Sequence, residues 1–303
     1  MTTRKSQEYL PQYRIPLREI AGGRLVPMFK GRFDAWAFRS TTERAWLHAF
    51  RERVVDSIGR RYLPVYRIAD GEFRYLLGRR VRWGSKHPIR DGLGVAAERL
   101  GLIHRTNATS WGEEYSPSLR IELRRTLTDR IRSIAESGYL ATLLSDNGVS
   151  LAHEYCAPFC RYMAYHDLCF GSGNYVPFHF VCELLSSPGW EELLEGRRVL
   201  IVTSSKGKNT ALIASNLTEM GVRDIQFVNV SANHSMLDNV DLSTVRMPVD
   251  LCLVSAGVGS ANVLVQLKPL ATTALDIGGY LYCFENKAFV AHGVFMAPER
   301  ARA

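Results

Sequence analysis

Between residues 197 and 277 short apolar runs alternate with runs of helical spacing, and this alternation constrains the fold more than any other feature. RRVLIVTSS (197–205), DIQFVNVS (224–231), DLCLVSAG (250–257) and TALDI (273–277) are rich in Val, Ile and Leu. NTALIASNLTEM (209–220), closed by Gly221, and SANVLVQL (260–267) fall between them with helical periodicity. Strands that are apolar almost throughout belong in a parallel sheet covered on both faces, because neither face can carry polar side chains. The pattern therefore predicts an α/β class fold built from parallel β-α-β units. In such sheets ligands bind beyond the carboxyl ends of the strands, so the polar residues there are the candidates for function.

The N-terminal half is less regular. Residues 1–40 scatter Pro, Gly and aromatic residues without periodicity and are expected to form an irregular arm. A helix follows, with Ser40 and Glu43 as a capping box, Trp46, Phe50, Val54 and Ile58 on one stripe, and Gly59 as its stop. A strand is predicted at 63–69, a helix at 118–137 ending at Gly138, and a strand at 139–144 followed by Asp146 and Asn147. Residues 150–190 are aromatic and less regular. The expected organisation is an arm and helix over 1–59, a catalytic α/β domain over 60–290 and a tail over 291–303.

The first candidate site closes the strand at 63–69. Arg67 is followed by Asp70-Gly71-Glu72 and then by an amphipathic run. Two carboxylates one residue apart suit Mg²⁺ or Mn²⁺ held together with a diphosphate. Gly71 would let the backbone turn sharply between them. The competing reading is a helix N-terminus, with Asp70 as N-cap and Glu72 in the first turn. Arg67 favours the ligand reading, since a guanidinium at a strand end binds phosphate oxygens in pairs.

Three further strand ends carry candidates. Gly257, Gly259 and Ser260 lie in a turn that opens a helix, where backbone amides can face a phosphate. Asn262 stands where a dinucleotide fingerprint would have its third glycine, so that fingerprint is incomplete. Ser204, Ser205, Lys206 and Lys208 gather at a helix start and suit an anion, although no P-loop is present. Asp276 ends the last strand and is a candidate base, hydroxyl ligand or cap.

Composition narrows the function classes. The formal charge is +8 and the pI about 9.3, which fits an anionic partner or a general arginine bias. No aromatic-basic or zinc-finger motif supports nucleic-acid binding, and none is expected. Cys156, Cys160 and Cys169 lack the paired spacing of a zinc site, and Cys252 and Cys283 read as buried apolar residues. The N-terminus has no secretory pattern, and no window reaches the roughly 18 apolar residues of a membrane span, so a cytoplasmic location is expected.

The segment YRIADGEFRYLLGRR resembles the R-x-G-D-G-E-[FL] signature of the GT-D type glycosyltransferases, formerly a domain of unknown function. DLCLVSAGVGSANVLVQLKPLATTALDIGG resembles that family's second hallmark, a strand, a glycine turn, a helix and a D-I-G strand end. The resemblance covers roughly residues 60–285. It implies a Rossmann-like sheet and transfer of a sugar from a nucleotide-diphosphate donor, a UDP-sugar. It also implies that Asp70 and Glu72 serve metal and donor, that the glycine turn maps onto Gly257 and Gly259, and that D-I-G maps onto Asp276, Ile277 and Gly278. Ala69 replaces the family's usual glycine, Gly279 its frequent histidine, and residues 150–190 do not match.

The expected activity is thus metal-assisted glycosyl transfer, with Asp70, Glu72 and Asp276 catalytic and the acceptor open. The alternatives are a nicotinamide- or S-adenosylmethionine-dependent enzyme and a non-catalytic anion or nucleic-acid binder.

Overall fold

The computed structural model describes residues 43–77, 115–142 and 173–286, the strands at 17–20 and 24–27, and single positions within 89–102 and 162–171. Asp146, Asn147, Ser40, Cys156, Cys160 and Cys169 lie outside the described residues, as does the Asp70 side chain.

Seven strands form one sheet: β3 (Leu63–Ile68), β4 (Tyr139–Thr142), β6 (Tyr175–Pro177), β7 (Arg198–Thr203), β8 (Asp224–Asn229), β9 (Leu251–Ser255) and β10 (Thr273–Asp276). Their order is β6-β4-β3-β10-β9-β7-β8, and every pairing is parallel. The sheet is the α/β arrangement expected from the alternation. Its first and last strands in sequence, β3 and β10, lie side by side.

Helices cover both faces. They are α1 (Glu43–Val55), α2 (Asp70–Leu77), α3 (Pro117–Ser137), α4 (Phe180–Ser186), α5 (Glu191–Leu194), α6 (Lys208–Glu219), α7 (Ser260–Gln266) and α8 (Leu281–Asn286). Alternate strand residues feed two cores. Tyr66, Ile68, Val202, Val254 and Ala274 pack with residues of α2, α3 and α7. Val65, Ile201, Leu253, Leu275 and Ile277 pack with residues of α1, α4, α6 and α8. Each fully buried Leu or Ile in these layers contributes about 1.5–3 kcal/mol over its exposed state.

Local sequence explains the ends of the elements. In α1, Phe50 and Val54 are buried, as the four-residue spacing requires, and Ile58 continues their stripe into the following turn. Gly59 then takes φ +64°, and its N–H donates to Thr272 Oγ1 at 2.9 Å. Ser116 caps α3 by accepting from the Leu119 N–H at 3.2 Å. Gly138 ends α3 as expected, but not in the left-handed region. Its φ is −157°, and a Cβ there would lie 1.9 Å from the Pro64 carbonyl oxygen, so close approach of α3 to β3 is what demands glycine.

One expectation is corrected. The arm is not wholly irregular: β1 (Leu17–Ile20) and β2 (Arg24–Pro27) pair antiparallel, and β5 (Phe170–Gly171) joins β2. The less regular middle region supplies β6 and α4. β6 is an edge strand of three residues ending in proline, too short for periodicity to reveal. Among the described residues no helix is long and apolar enough to cross a membrane.

Candidate functional site

A cleft of about 230 Å³ opens at the carboxyl ends of β3, β9 and β10. Arg67, Ala69, Gly71, Glu72, Asp276 and Gly278 line it, with Phe178 and the turn at Gly257 and Val258. Arg67 is the penultimate residue of β3, on the face that carries Val65, and only 9% of it is exposed. Its guanidinium lies 4.1 Å from the Phe178 ring centroid, and Nη1 donates to the Ile277 carbonyl. Arg67 Nε is buried and has no hydrogen-bond partner among the described residues. A guanidinium with a ring behind it and a carbonyl on one nitrogen is held rigidly, with donor capacity to spare.

Asp276 is the other principal group. It ends β10 with 3% exposure. Oδ2 accepts from the Arg67 backbone N–H at 3.1 Å, and Oδ1 from the Gly278 N–H at 3.2 Å. The Ser260 hydroxyl hydrogen-bonds it as well. Burial pushes this carboxyl up to about 6, against the opposing pull of Arg67 and those hydrogen bonds. A carboxylate that changes charge near neutrality inside a cleft has the properties of a general base.

The Asp-Gly-Glu segment is not a sharp turn. It is the first turn of α2, closed by the Phe73 N–H donating to the Ala69 carbonyl at 2.9 Å. Ala69 occupies the cap position expected for Asp70, and Glu72 reaches back to accept its N–H at 2.8 Å. This is the glutamate half of a capping box. Gly71 has no positive φ, so the turning role assigned to it is corrected; it lines the cleft and leaves room there. Glu72 also lines the cleft, so its carboxylate serves the helix end and faces the site together.

The glycine turn divides in two. Gly257 takes φ +56° and lines the cleft. Gly259 is buried, and a Cβ there would lie 2.1 Å from Ser235 Oγ, so it serves close packing. Ser260 is fully buried, with Oγ accepting from the Ala256 N–H at 3.3 Å while contacting Asp276. It orients the carboxylate from behind the cleft. Ser204, Ser205, Lys206 and Lys208 follow β7, two strands away from β10, and the structure does not bring them into the cleft. Lys206 and Lys208 are exposed.

Sequence reasoning missed Phe178. It follows β6, and only the pairing of β6 with β4 carries it to Arg67. Among the described residues no cluster of three or more His, Cys, Asp or Glu could hold a metal by itself. Glu72 does offer a hard oxygen donor at the cleft, next in sequence but one to Asp70, and that donor set fits a divalent cation shared with phosphate oxygens.

A model of the GT-D fold-like domain matches residues 120–283, more than half of the chain. The chain belongs to the GT-D fold-like family. No curated protein matches it. Among solved structures it is similar to a domain of unknown function 1792 described as having a distinct glycosyltransferase fold. That likeness has 14% identity and a TM-score of 0.46, over 82% of this chain and 86% of the other. A glycosyltransferase of the same domain type from Streptococcus sanguinis is similar at 14% identity and a TM-score of 0.45, over 80% and 84%. The GT-D fold-like segment contains Gly257, Asp276 and Gly278. Arg67 and Glu72 precede it, and the insertion of β3 between β4 and β10 brings them to the same cleft.

Proposed function

We propose that this GT-D fold-like protein is a glycosyltransferase that moves a sugar from a nucleotide-diphosphate donor, a UDP-sugar, onto an acceptor hydroxyl. The observation that carries this reading is the meeting of Arg67 and Asp276 in one cleft, a cation with free donor capacity beside a carboxylate that titrates near neutrality.

The diphosphate would lie against the Arg67 guanidinium and the turn at Gly257. Positive charge fixed in a cleft stabilises the charge that develops on the leaving group. Asp276 would take the proton of the acceptor hydroxyl. As that O–H breaks, the acceptor oxygen bonds to the anomeric carbon, the bond from that carbon to the diphosphate oxygen breaks, and its electron pair leaves with the diphosphate. Asp70 and Glu72 would hold Mn²⁺ or Mg²⁺, which supplies Lewis-acid neutralisation of the departing diphosphate. The Phe178 ring keeps the guanidinium in place and excludes water from one of its faces.

The test is thermal melting with UDP, other nucleoside diphosphates and their sugars, each with and without Mn²⁺. A ligand present at a hundred times its Kd stabilises by about 2.7 kcal/mol, a readily measured shift. Stabilisation by a nucleoside diphosphate that is lost in Arg67→Ala supports the reading. Stabilisation by a dinucleotide or an S-adenosyl compound instead overturns it.

A further inference from the structure

Asn262 stands where a dinucleotide fingerprint would have its third glycine, and nothing in the proposed reaction uses it. The structure gives it an occupation. Asn262 is buried in the first turn of α7. Its Nδ2 donates to the Ser235 carbonyl at 2.8 Å and to the Asp238 carbonyl at 2.8 Å. Its Oδ1 accepts from Gln266 Nε2 at 2.9 Å, and Gln266 Oε1 accepts from the Val240 N–H at 2.9 Å. Two amide side chains one turn apart on α7 thus fasten the segment after β8 to that helix. A glycine at 262 could make none of the side-chain bonds.

The fastened segment reaches the glycine turn through Ser235. Ser235 is fully buried, and its Oγ donates to the Ala256 carbonyl at 2.7 Å. Gly259 makes room for it, since a Cβ there would collide with Ser235. The Ala256 carbonyl and the Gly257 N–H belong to one peptide group. That group is planar and trans, so its C=O and N–H point in opposite directions. A hydroxyl that holds the carbonyl therefore fixes the N–H as well, and turns it away from the buried Ser235. The turn alone would not do so, because glycine accepts positive and negative φ about equally and lets the peptide before it flip. Gly257 is exposed and lines the cleft, and among the described residues no group accepts its N–H.

We propose that Ser235 is a positioning residue of the donor site: its hydroxyl holds the 256–257 peptide so that the Gly257 N–H faces the anionic oxygens of the diphosphate, and Asn262 holds Ser235. The proposal rests on the nucleotide-diphosphate reading of the cleft. Ser235 acts through the peptide and stands outside the cleft lining. An N–H already turned toward a phosphate oxygen makes a charge-assisted hydrogen bond, and no peptide has to be ordered when the ligand binds.

The experiment compares wild type with Ser235→Ala, each carrying ¹³C-carbonyl alanine and ¹⁵N glycine. Only Ala21-Gly22 and Ala256-Gly257 join the two labels, so the Gly257 amide can be followed by NMR while UDP and Mg²⁺ are added. In the wild type its proton is expected to move downfield as UDP binds. In Ser235→Ala that movement is expected to shrink, and the Kd for UDP, measured by calorimetry, to rise roughly tenfold. Asn262→Ala leaves the Ser235 hydroxyl in place but frees its backbone, and is expected to weaken UDP in the same direction. A wild-type Gly257 signal that ignores bound UDP overturns the proposal. So does an unchanged Kd in Ser235→Ala at a lowered melting temperature, which would make Ser235 a packing residue. Both of those results leave the glycosyltransferase reading standing. If Ser235→Ala does not fold, the wild-type signal and the Kd of Asn262→Ala decide in its place. If the wild type binds no nucleoside diphosphate, that reading falls and the proposal falls with it.

Discussion

The Arg67 backbone N–H donates to Asp276 Oδ2 at 3.1 Å, joining two residues 209 positions apart in the chain. The bond exists because the first and last strands of the sheet are neighbours. It places a guanidinium and a titrating carboxylate at one strand edge, and the consequences for function start there.

Arg67→Lys tests the guanidinium itself. Lysine cannot lie flat on Phe178 and donate to the Ile277 carbonyl together, since its ammonium is a point charge on a flexible stem. Steady-state kinetics should show kcat/KM lower by about a hundredfold, or about 2.7 kcal/mol. A lysine enzyme of wild-type efficiency would remove Arg67 from the mechanism.

Asp276 predicts a pH dependence with a definite sign. As a base it must be ionised, so turnover should fall as pH drops below about 6. For stability the direction is opposite. A carboxyl whose folded pKa is raised binds protons more tightly when folded, so its contribution is fully present below the unfolded value and is lost as pH rises through about 6. The loss amounts to about 3 kcal/mol. Urea unfolding of wild type and Asp276→Asn between pH 4 and 7 should show the wild type losing ground to the variant as pH rises.

Glu72→Gln separates a helix end from a metal site. Glutamine can still accept the Ala69 N–H, since either residue completes a capping box. Stability should therefore change by less than about 1 kcal/mol. Mn²⁺ affinity, measured by calorimetry in the presence of UDP, should fall at least roughly tenfold. Equal affinity in the variant would leave Glu72 with capping alone.

The glycines of the site make a graded series. Gly259→Ala drives a Cβ to 2.1 Å from Ser235 Oγ and 2.5 Å from its backbone carbon, so the urea midpoint should show a loss of at least about 3 kcal/mol. Gly278→Ala meets φ +47° and Arg67 Nη1 at 3.3 Å, and should cost about 1–2 kcal/mol. Gly279→Ala faces open space and should stay within about 0.5 kcal/mol.

Lys206→Ala with Lys208→Ala should leave donor binding within about twofold of wild type, because both lysines are exposed and outside the cleft lining, where solvent and salt screen their charge. A large drop in the nucleotide-induced melting shift would extend the donor site from β10 to the end of β7.

Much of the architecture was legible from local pattern. The apolar runs of β7, β9 and β10 and the spacing in α3 and α6 state their own element type, because a residue's period is a property of its neighbours in sequence. Asp276 and Arg67 were marked as candidates by standing at strand ends. Phe178 and β6 were not legible: a three-residue edge strand has no period, and its place beside β4 depends on backbone pairing far along the chain. The separate duties of Gly257 and Gly259 were hidden too, since a motif shows that glycine is present and not which atom would collide with a Cβ.

The sequence by itself determined the α/β class, the parallel character of the sheet and the short set of polar residues at strand ends, since each follows from periodicity and burial of nearby residues. Only the tertiary structure decided that β3 and β10 adjoin, that Asp276 is enclosed until its carboxyl titrates near neutrality, and that Lys206 and Lys208 stay outside the cleft. Strand order and desolvation arise from contacts between segments distant in sequence, and no local pattern encodes them.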